Sequence, residues 1–121
     1  MDLKERFLKY VSFDTQSDES STTFPSTDKQ KVLLSHLKEE LEALGLKEVT
    51  MDEYGYVMAT LPATPGMENA PVIGFISHVD TAPDMSGANI KPHVLENYDG
   101  RDIMLGNNVW MRVEEFPELS F

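Results

Sequence analysis

The sequence predicts an α/β fold in which helices pack on a mixed, mostly parallel sheet. Three observations support this prediction: an amphipathic helical pattern that ends at Gly45, two short β-rich segments directly after it, and an almost wholly apolar segment at Val72–Ser77. A strand that is apolar on both faces is typical of the centre of a parallel sheet, because helices cover both of its sides. The order helix, helix, strand, strand, central strand therefore indicates layered α/β architecture.

The N-terminal segment Asp2–Val11 is predicted to form a short amphipathic helix. Its apolar side chains repeat with helical spacing and form one stripe, which comprises Leu3, Phe7, Leu8 and Val11. The next segment, residues 12–27, is rich in Ser, Thr and Asp. Since such side chains compete with the backbone for hydrogen bonds, we expect a polar loop between this helix and the next one.

The second helix has the clearest pattern in the chain. Thr27 or Asp28 is expected to cap it, and Thr27 with Gln30 has the spacing of a capping box. Its buried stripe is predicted to comprise Leu33, Leu37, Leu41 and Leu44, widened by Val32 and Leu34. Gly45 follows in the position of the left-handed residue that ends many helices.

Short strands are expected after the second helix. Lys47–Met51 and Tyr56–Leu61 contain β-branched and aromatic residues around a turn at Asp52–Gly55. Ile90–Leu95 is a candidate edge strand, because Pro92 cannot donate a hydrogen bond within a sheet.

Size and composition fit one small domain. The chain has 121 residues and a mass of 13.6 kDa, with 40% apolar and 26% charged residues, which argues against a disordered chain. It has no cysteine, which excludes a disulfide framework, a thiolate zinc site and a cysteine nucleophile.

The charge balance narrows the possible partners. The chain has 10 basic and 21 acidic residues, a formal net charge of −11, so nucleic acid and anionic membrane surfaces are not expected as partners. The first ten residues lack the continuous apolar stretch of a secretory signal, and no apolar run approaches the ~20 residues that span a bilayer. We therefore expect a soluble, cytoplasmic protein.

The candidate chemistry lies directly after the apolar segment, at His78 and Asp80. Residues i and i+2 of an extended chain lie on the same face, and ligand crevices form at the carboxyl ends of strands in open α/β sheets. A neutral imidazole binds zinc, and a nearby carboxylate can fix its tautomer. From the spacing alone, a polar turn and a metal-binding pair both remain open.

Other polar residues are interpreted as structural. We expect a turn or cap role for Asp84, an exposed position for His93, a helix-boundary position for His36, and an ordinary turn around Asp99 and Asp102.

Several segments in the right order resemble the dinuclear zinc peptidase family. Gly74–Gly87, with the sequence GFISHVDTAPDMSG, has the family's pattern of an apolar strand that ends in His-x-Asp. Within this family the tripeptide aminopeptidases are the most similar, through the segments Tyr10–Ser17, Phe24–Gln30, Met58–Thr64 and Asn89–Ile103. The resemblance covers roughly residues 1–119.

The resemblance implies a zinc-dependent cytosolic aminopeptidase that removes the N-terminal residue of tripeptides. Its full-length members hold two zinc ions in one active site. By the matching motif, the resemblance implies that His78 is a metal ligand and that Asp80 is the catalytic aspartate that orients it. The metal ions would polarise the scissile carbonyl group and lower the pKa of a bound water molecule.

The resemblance also implies an incomplete site. The family's bridging aspartate, its general-base glutamate and its later ligands lie in segments that this sequence does not contain, whereas a catalytic zinc ion takes about three protein ligands. We therefore expect residues 1–121 to be the N-terminal portion of the catalytic domain, truncated and without the lid domain. Alone it would bind at most one metal ion and be inactive. The alternative is a non-catalytic module that self-associates through the exposed edge of its incomplete sheet.

Overall fold

The computed structural model describes residues 2–120. Its elements are α1 (Leu3–Tyr10), α2 (Gln30–Ala43), β1 (Lys47–Met51), β2 (Val57–Thr60), β3 (Ile103–Gly106), β4 (Val109–Met111) and a final 3₁₀ turn (Pro117–Ser120). The chain is a small mixed α/β fold, as predicted. The prediction of a mostly parallel sheet is wrong, because the strands form two separate antiparallel pairs, β1–β2 and β3–β4.

Helix α1 forms where it was predicted and begins with a capping box. The Asp2 carboxylate accepts a hydrogen bond from the Glu5 amide at 2.8 Å, and the Glu5 carboxylate accepts one from the Asp2 amide at 2.9 Å. The apolar stripe is only partly covered, since Leu3 and Phe7 are 81% and 63% exposed whereas Leu8 and Val11 are half-buried. Polar contacts therefore contribute much of the interaction between α1 and the rest of the chain.

The N-cap of helix α2 lies one or two residues later than predicted. Lys29 occupies the N-cap position without a side-chain capping bond. The hydroxyl of Thr27 instead donates to the Gln16 carbonyl at 2.9 Å and accepts a bond from Gln30 Nε2 at 3.1 Å. The predicted end is confirmed, because Gly45 has a φ of +86° and its amide donates to a carbonyl of the last turn.

Helix α2 packs against the β1–β2 hairpin. Leu33, at 6% exposure, is the buried apolar side chain in the described part of the chain, and Leu37 and Leu41 are half-buried. Gly55, in the hairpin turn, has a φ of +91°, and a Cβ there would lie 2.9 Å from Leu34 Cδ1. The positive φ of the turn therefore favours glycine, and a side chain there would also displace the end of the Leu34 side chain.

The predicted central strand at Val72–Ser77 is wrong. The segment forms no strand, and Val72, Phe75 and Ile76 are at least 95% exposed. A segment becomes a strand only when a neighbour pairs with it, and within residues 2–120 no strand lies beside this one. The predicted edge strand at Ile90–Leu95 is also wrong.

The β3–β4 hairpin was not predicted. Asn107 and Asn108 form its turn with φ values of +48° and +61°, the backbone geometry of a type I′ turn. Two asparagines between apolar residues are the sequence signal that could have identified this hairpin. Within residues 2–120, no helix combines the length and the hydrophobicity needed to cross a bilayer.

Candidate metal-binding site

The structure brings His78 and Asp80 together. His78 Nδ1 lies 2.9 Å from Asp80 Oδ1. Since a carboxylate has no proton to donate, this contact favours the neutral tautomer that carries the hydrogen on Nδ1 and leaves the lone pair on Nε2. The His78 side chain is 82% exposed. The pair therefore offers a metal ion an oriented and accessible imidazole nitrogen.

Thr81, the residue that follows this pair, is hydrogen-bonded to a loop near the N-terminus. Thr81 forms an isolated parallel bridge with Gln16. The Thr81 amide donates to the Thr15 carbonyl at 3.1 Å, and the Ser17 amide donates to the Thr81 carbonyl at 2.9 Å. Thr15 is only 3% exposed. The place of Asp80 in the fold is therefore fixed by contacts with residues far away in sequence.

The described residues supply a single oriented imidazole ligand, which is too few to enclose a metal ion. Within residues 2–120, no three His, Asp or Glu side chains lie close enough to hold a metal ion together. A catalytic zinc ion takes about three protein ligands and a water molecule. The donor set around His78 thus fits a single imidazole ligand with an orienting carboxylate.

None of the other acidic and histidine candidates among residues 2–120 joins His78 and Asp80 in a group that could hold a metal ion. Asp84 is in an exposed turn, and His93 is exposed. Asp99 pairs with the Arg101 guanidinium, whose hydrogen bonds hold the pKa of that carboxyl below its usual range. Asp102 accepts a hydrogen bond from the amide of residue 113 at 2.8 Å.

His36 belongs to a cluster between α1 and α2 that sequence reasoning missed. Its ring centroid lies 5.4 Å from that of Phe13 and 6.2 Å from that of Tyr10. The Tyr10 hydroxyl and Arg6 Nε both donate to the Glu40 carboxylate. Burial and then the Glu40 contact raise the pKa of Tyr10 to about 12. The cluster joins residues about 30 positions apart, a distance at which local spacing gives no signal.

Known proteins resemble this chain in sequence, although no profile of a protein family matches it. The chain is 56% identical over 117 residues to the peptidase T of Clostridium acetobutylicum. It is 53% identical over 118 residues to the peptidase T of Geobacillus sp. (strain WCH70), and 52% identical over 121 residues to that of Listeria welshimeri.

These alignments cover 95%, 96% and 98% of this chain, but only 28%, 28% and 29% of the three relatives. The chain therefore spans little more than a quarter of the length of the curated relatives it matches. The resemblance expected from the sequence is confirmed, and nearly the whole of this chain is similar in sequence to peptidase T.

Proposed function

We propose that this chain supplies part of the active site of a zinc-dependent aminopeptidase that releases the N-terminal residue of tripeptides in the cytoplasm. Identity above 50% to proteins named peptidase T supports a peptidase. The observation that carries the proposal is the 2.9 Å contact between His78 and Asp80, because carboxylates commonly orient metal-binding histidines in this way.

His78 would bind a zinc ion through Nε2. Asp80 would hold the hydrogen on Nδ1, fix the orientation of the ring and raise the basicity of Nε2. A bound zinc ion would polarise the scissile carbonyl group and lower the pKa of a water molecule. The high exposure of His78 leaves room for other ligands and for a peptide beside it.

The remaining ligands and the general base are proposed to come from the part of peptidase T that this chain does not match. One imidazole falls short of the roughly three ligands that a catalytic zinc ion takes. The matched relatives contain more than twice as much further sequence. By itself, this chain is therefore proposed to bind at most one metal ion weakly and to be inactive.

A chimera tests this proposal. Residues of this chain would replace the matching 117 residues of the Clostridium acetobutylicum peptidase T. We expect the chimera to release N-terminal residues from tripeptides in a zinc-dependent manner, and this chain alone with added zinc to release none. A folded, zinc-loaded chimera without tripeptide hydrolysis would contradict the proposal, and so would hydrolysis by this chain alone.

The second candidate is a non-catalytic module that associates with copies of itself. The exposure of the apolar segment Val72–Ser77 favours it, because unpaired backbone and apolar side chains are available there together. The net charge of −11 opposes the approach of two copies. The peptidase candidate is the better supported of the two.

A further inference from the structure

We propose that Gln16 is a positioning residue for the His78–Asp80 pair, an inference that rests on the proposed function because the position of the pair matters only if His78 binds a metal ion. Gln16 touches neither member of the pair. It acts through the segment that follows Asp80, from Thr81 to Gly87.

The segment before His78 gives the pair no support. Residues 72–77 have no strand beside them within the described chain, and Phe75 and Ile76 are almost fully exposed. The first long-range backbone contacts come at Thr81, whose carbonyl accepts hydrogen bonds at 2.9 Å from both the amide and the hydroxyl of Ser17. The pair is therefore held from its C-terminal side.

Gln16 lies at the centre of this attachment. Its Nε2 donates to the Pro83 carbonyl at 2.8 Å, a contact across 67 residues. Its backbone amide donates to Asp14 Oδ1 at 3.1 Å, and its carbonyl accepts the bond from the Thr27 hydroxyl at 2.9 Å. Gln16 thus connects the segment after Asp80 to the start of α2.

Gly87 lies on the other side of this contact and packs closely against Asp14 and Thr81. A Cβ at Gly87 would lie 2.9 Å from Asp14 Oδ1 and 3.4 Å from Thr81 Oγ1. The Asp14 carboxylate is itself restrained, because Lys29 Nζ lies 2.9 Å from it. Hydrogen bonding from Lys29 and then from the Gln16 amide lowers the pKa of Asp14, so the carboxylate stays charged and paired. A methyl group at Gly87 would therefore displace this restrained carboxylate and weaken the contact between the two segments.

The consequence for His78 is chemical. While Thr81 is held, the Asp80 carboxylate stays on Nδ1 and the Nε2 lone pair remains free for a metal ion. When the attachment loosens, residues 78–83 gain freedom and the neutral imidazole can exchange between its two tautomers.

NMR spectroscopy of this chain tests the proposal without metal or activity. At alkaline pH, where imidazole is neutral, we expect the His78 ring nitrogens to report the Nδ1–H tautomer. Gln16→Ala should shift these signals towards a mixture of tautomers and speed exchange of the Thr81 amide about five- to tenfold, as expected for one lost hydrogen bond. Gln16→Glu, of equal length but without the donor, should do the same.

Matched variants distinguish a positioning role of Gln16 from a general loss of rigidity in this part of the chain. Gly87→Ala should reproduce both changes from the other side of the attachment. It also serves as the second variant if Gln16→Ala does not fold, as judged by circular dichroism. Ser20→Ala removes the hydrogen bond from the Ser20 hydroxyl to Asp18 within the same loop, and Gly74→Ala adds a methyl group into open space. Neither should move the His78 signals.

Wild-type His78 signals and Thr81 exchange in both Gln16→Ala and Gly87→Ala would overturn the proposal. If the signals move but the chimera shows no zinc-dependent hydrolysis, Gln16 positions the pair and the proposed function is wrong. If the chimera is active and the signals do not move, the proposed function stands and the role of Gln16 is wrong.

Discussion

The hydroxyl of Tyr10 donates a hydrogen bond to the carboxylate of Glu40 and thereby joins α1 to α2. Burial, and then this contact, raises the pKa of Tyr10 to about 12 from an ordinary value of 10.0. Because the folded-state pKa is raised, the neutral phenol stabilises the fold. This contribution is fully present below pH 10.0 and is lost as the pH rises towards about 12.

Absorbance of the tyrosinate ion measures this directly. The chain has four tyrosines, and we expect one to ionise only near pH 12 or as the chain unfolds. Tyr10→Phe should remove this late component. Tyr56→Phe, at a side chain that is 68% exposed, should leave it in place. A late component that persists in Tyr10→Phe would show that Tyr10 is not the tyrosine with the raised pKa.

Glu40 gives the corresponding prediction for stability at low pH. Hydrogen bonding from Tyr10, followed by that from Arg6, lowers the pKa of Glu40 below its ordinary value of 4.5. The stabilisation is therefore present above pH 4.5 and is lost as the pH falls through the folded-state pKa. In urea denaturation at neutral pH, Glu40→Gln should lower the free energy of unfolding by about 1 kcal/mol.

The difference between Glu40→Gln and the wild type should shrink as the pH falls through the lowered folded-state pKa of Glu40, since the protonated glutamate is neutral like glutamine. Glu42→Gln is the control, because the Glu42 pair with Lys38 is an exposed i, i+4 contact worth only about 0.3–0.5 kcal/mol. Equal losses in the two variants at neutral pH would argue against a special role for Glu40.

Gly55 tests the packing of the first hairpin on α2. Gly55→Ala and Gly66→Ala both place a side chain at a positive φ, which costs about 1–2 kcal/mol. Only Gly55→Ala also forces a Cβ within 2.9 Å of Leu34, whereas Gly66 faces open space. We expect urea denaturation to show a loss larger by about 1 kcal/mol for Gly55→Ala. Equal losses would mean that the Leu34 side chain makes room for the added methyl group and does not restrict this turn.

The exposed apolar segment gives a prediction about association. If the chain is the self-associating module of the second candidate, sedimentation velocity at increasing concentration should show self-association, and Ile76→Asp should abolish it. Met85→Asp adds the same charge at an exposed apolar residue outside the segment, so it should associate like the wild type. A monomeric wild-type chain, or equal effects of the two variants, would rule out self-association through Val72–Ser77.

The elements that local sequence predicts are those whose stabilising contacts are close along the chain. Asp2 and Glu5 cap α1, Gly45 ends α2, and the turn at Asp52–Gly55 returns β1 onto β2. The proximity of His78 to Asp80 also follows from the two-residue period of extended backbone.

The predictions that failed depend on partners elsewhere. Val72–Ser77 has the composition of a buried strand, but a strand needs neighbours, and residues 2–120 provide none beside it. The attachment of Thr81 to Gln16 and the bond from Tyr10 to Glu40 join residues 30 or more positions apart. Such contacts are set by tertiary packing, so no local pattern reports them.

Zinc binding by the chimera, measured by metal analysis and isothermal titration calorimetry, tests most directly whether His78 is a metal ligand oriented by Asp80. We expect His78→Ala to lose one bound zinc ion per chain. Asp80→Asn should keep the zinc ions but bind them about 10–100-fold more weakly. The control is His93→Ala, at an exposed histidine that belongs to no group of metal-binding side chains within residues 2–120, which should bind zinc like the parent. Unchanged zinc content and affinity in His78→Ala would contradict the proposed site.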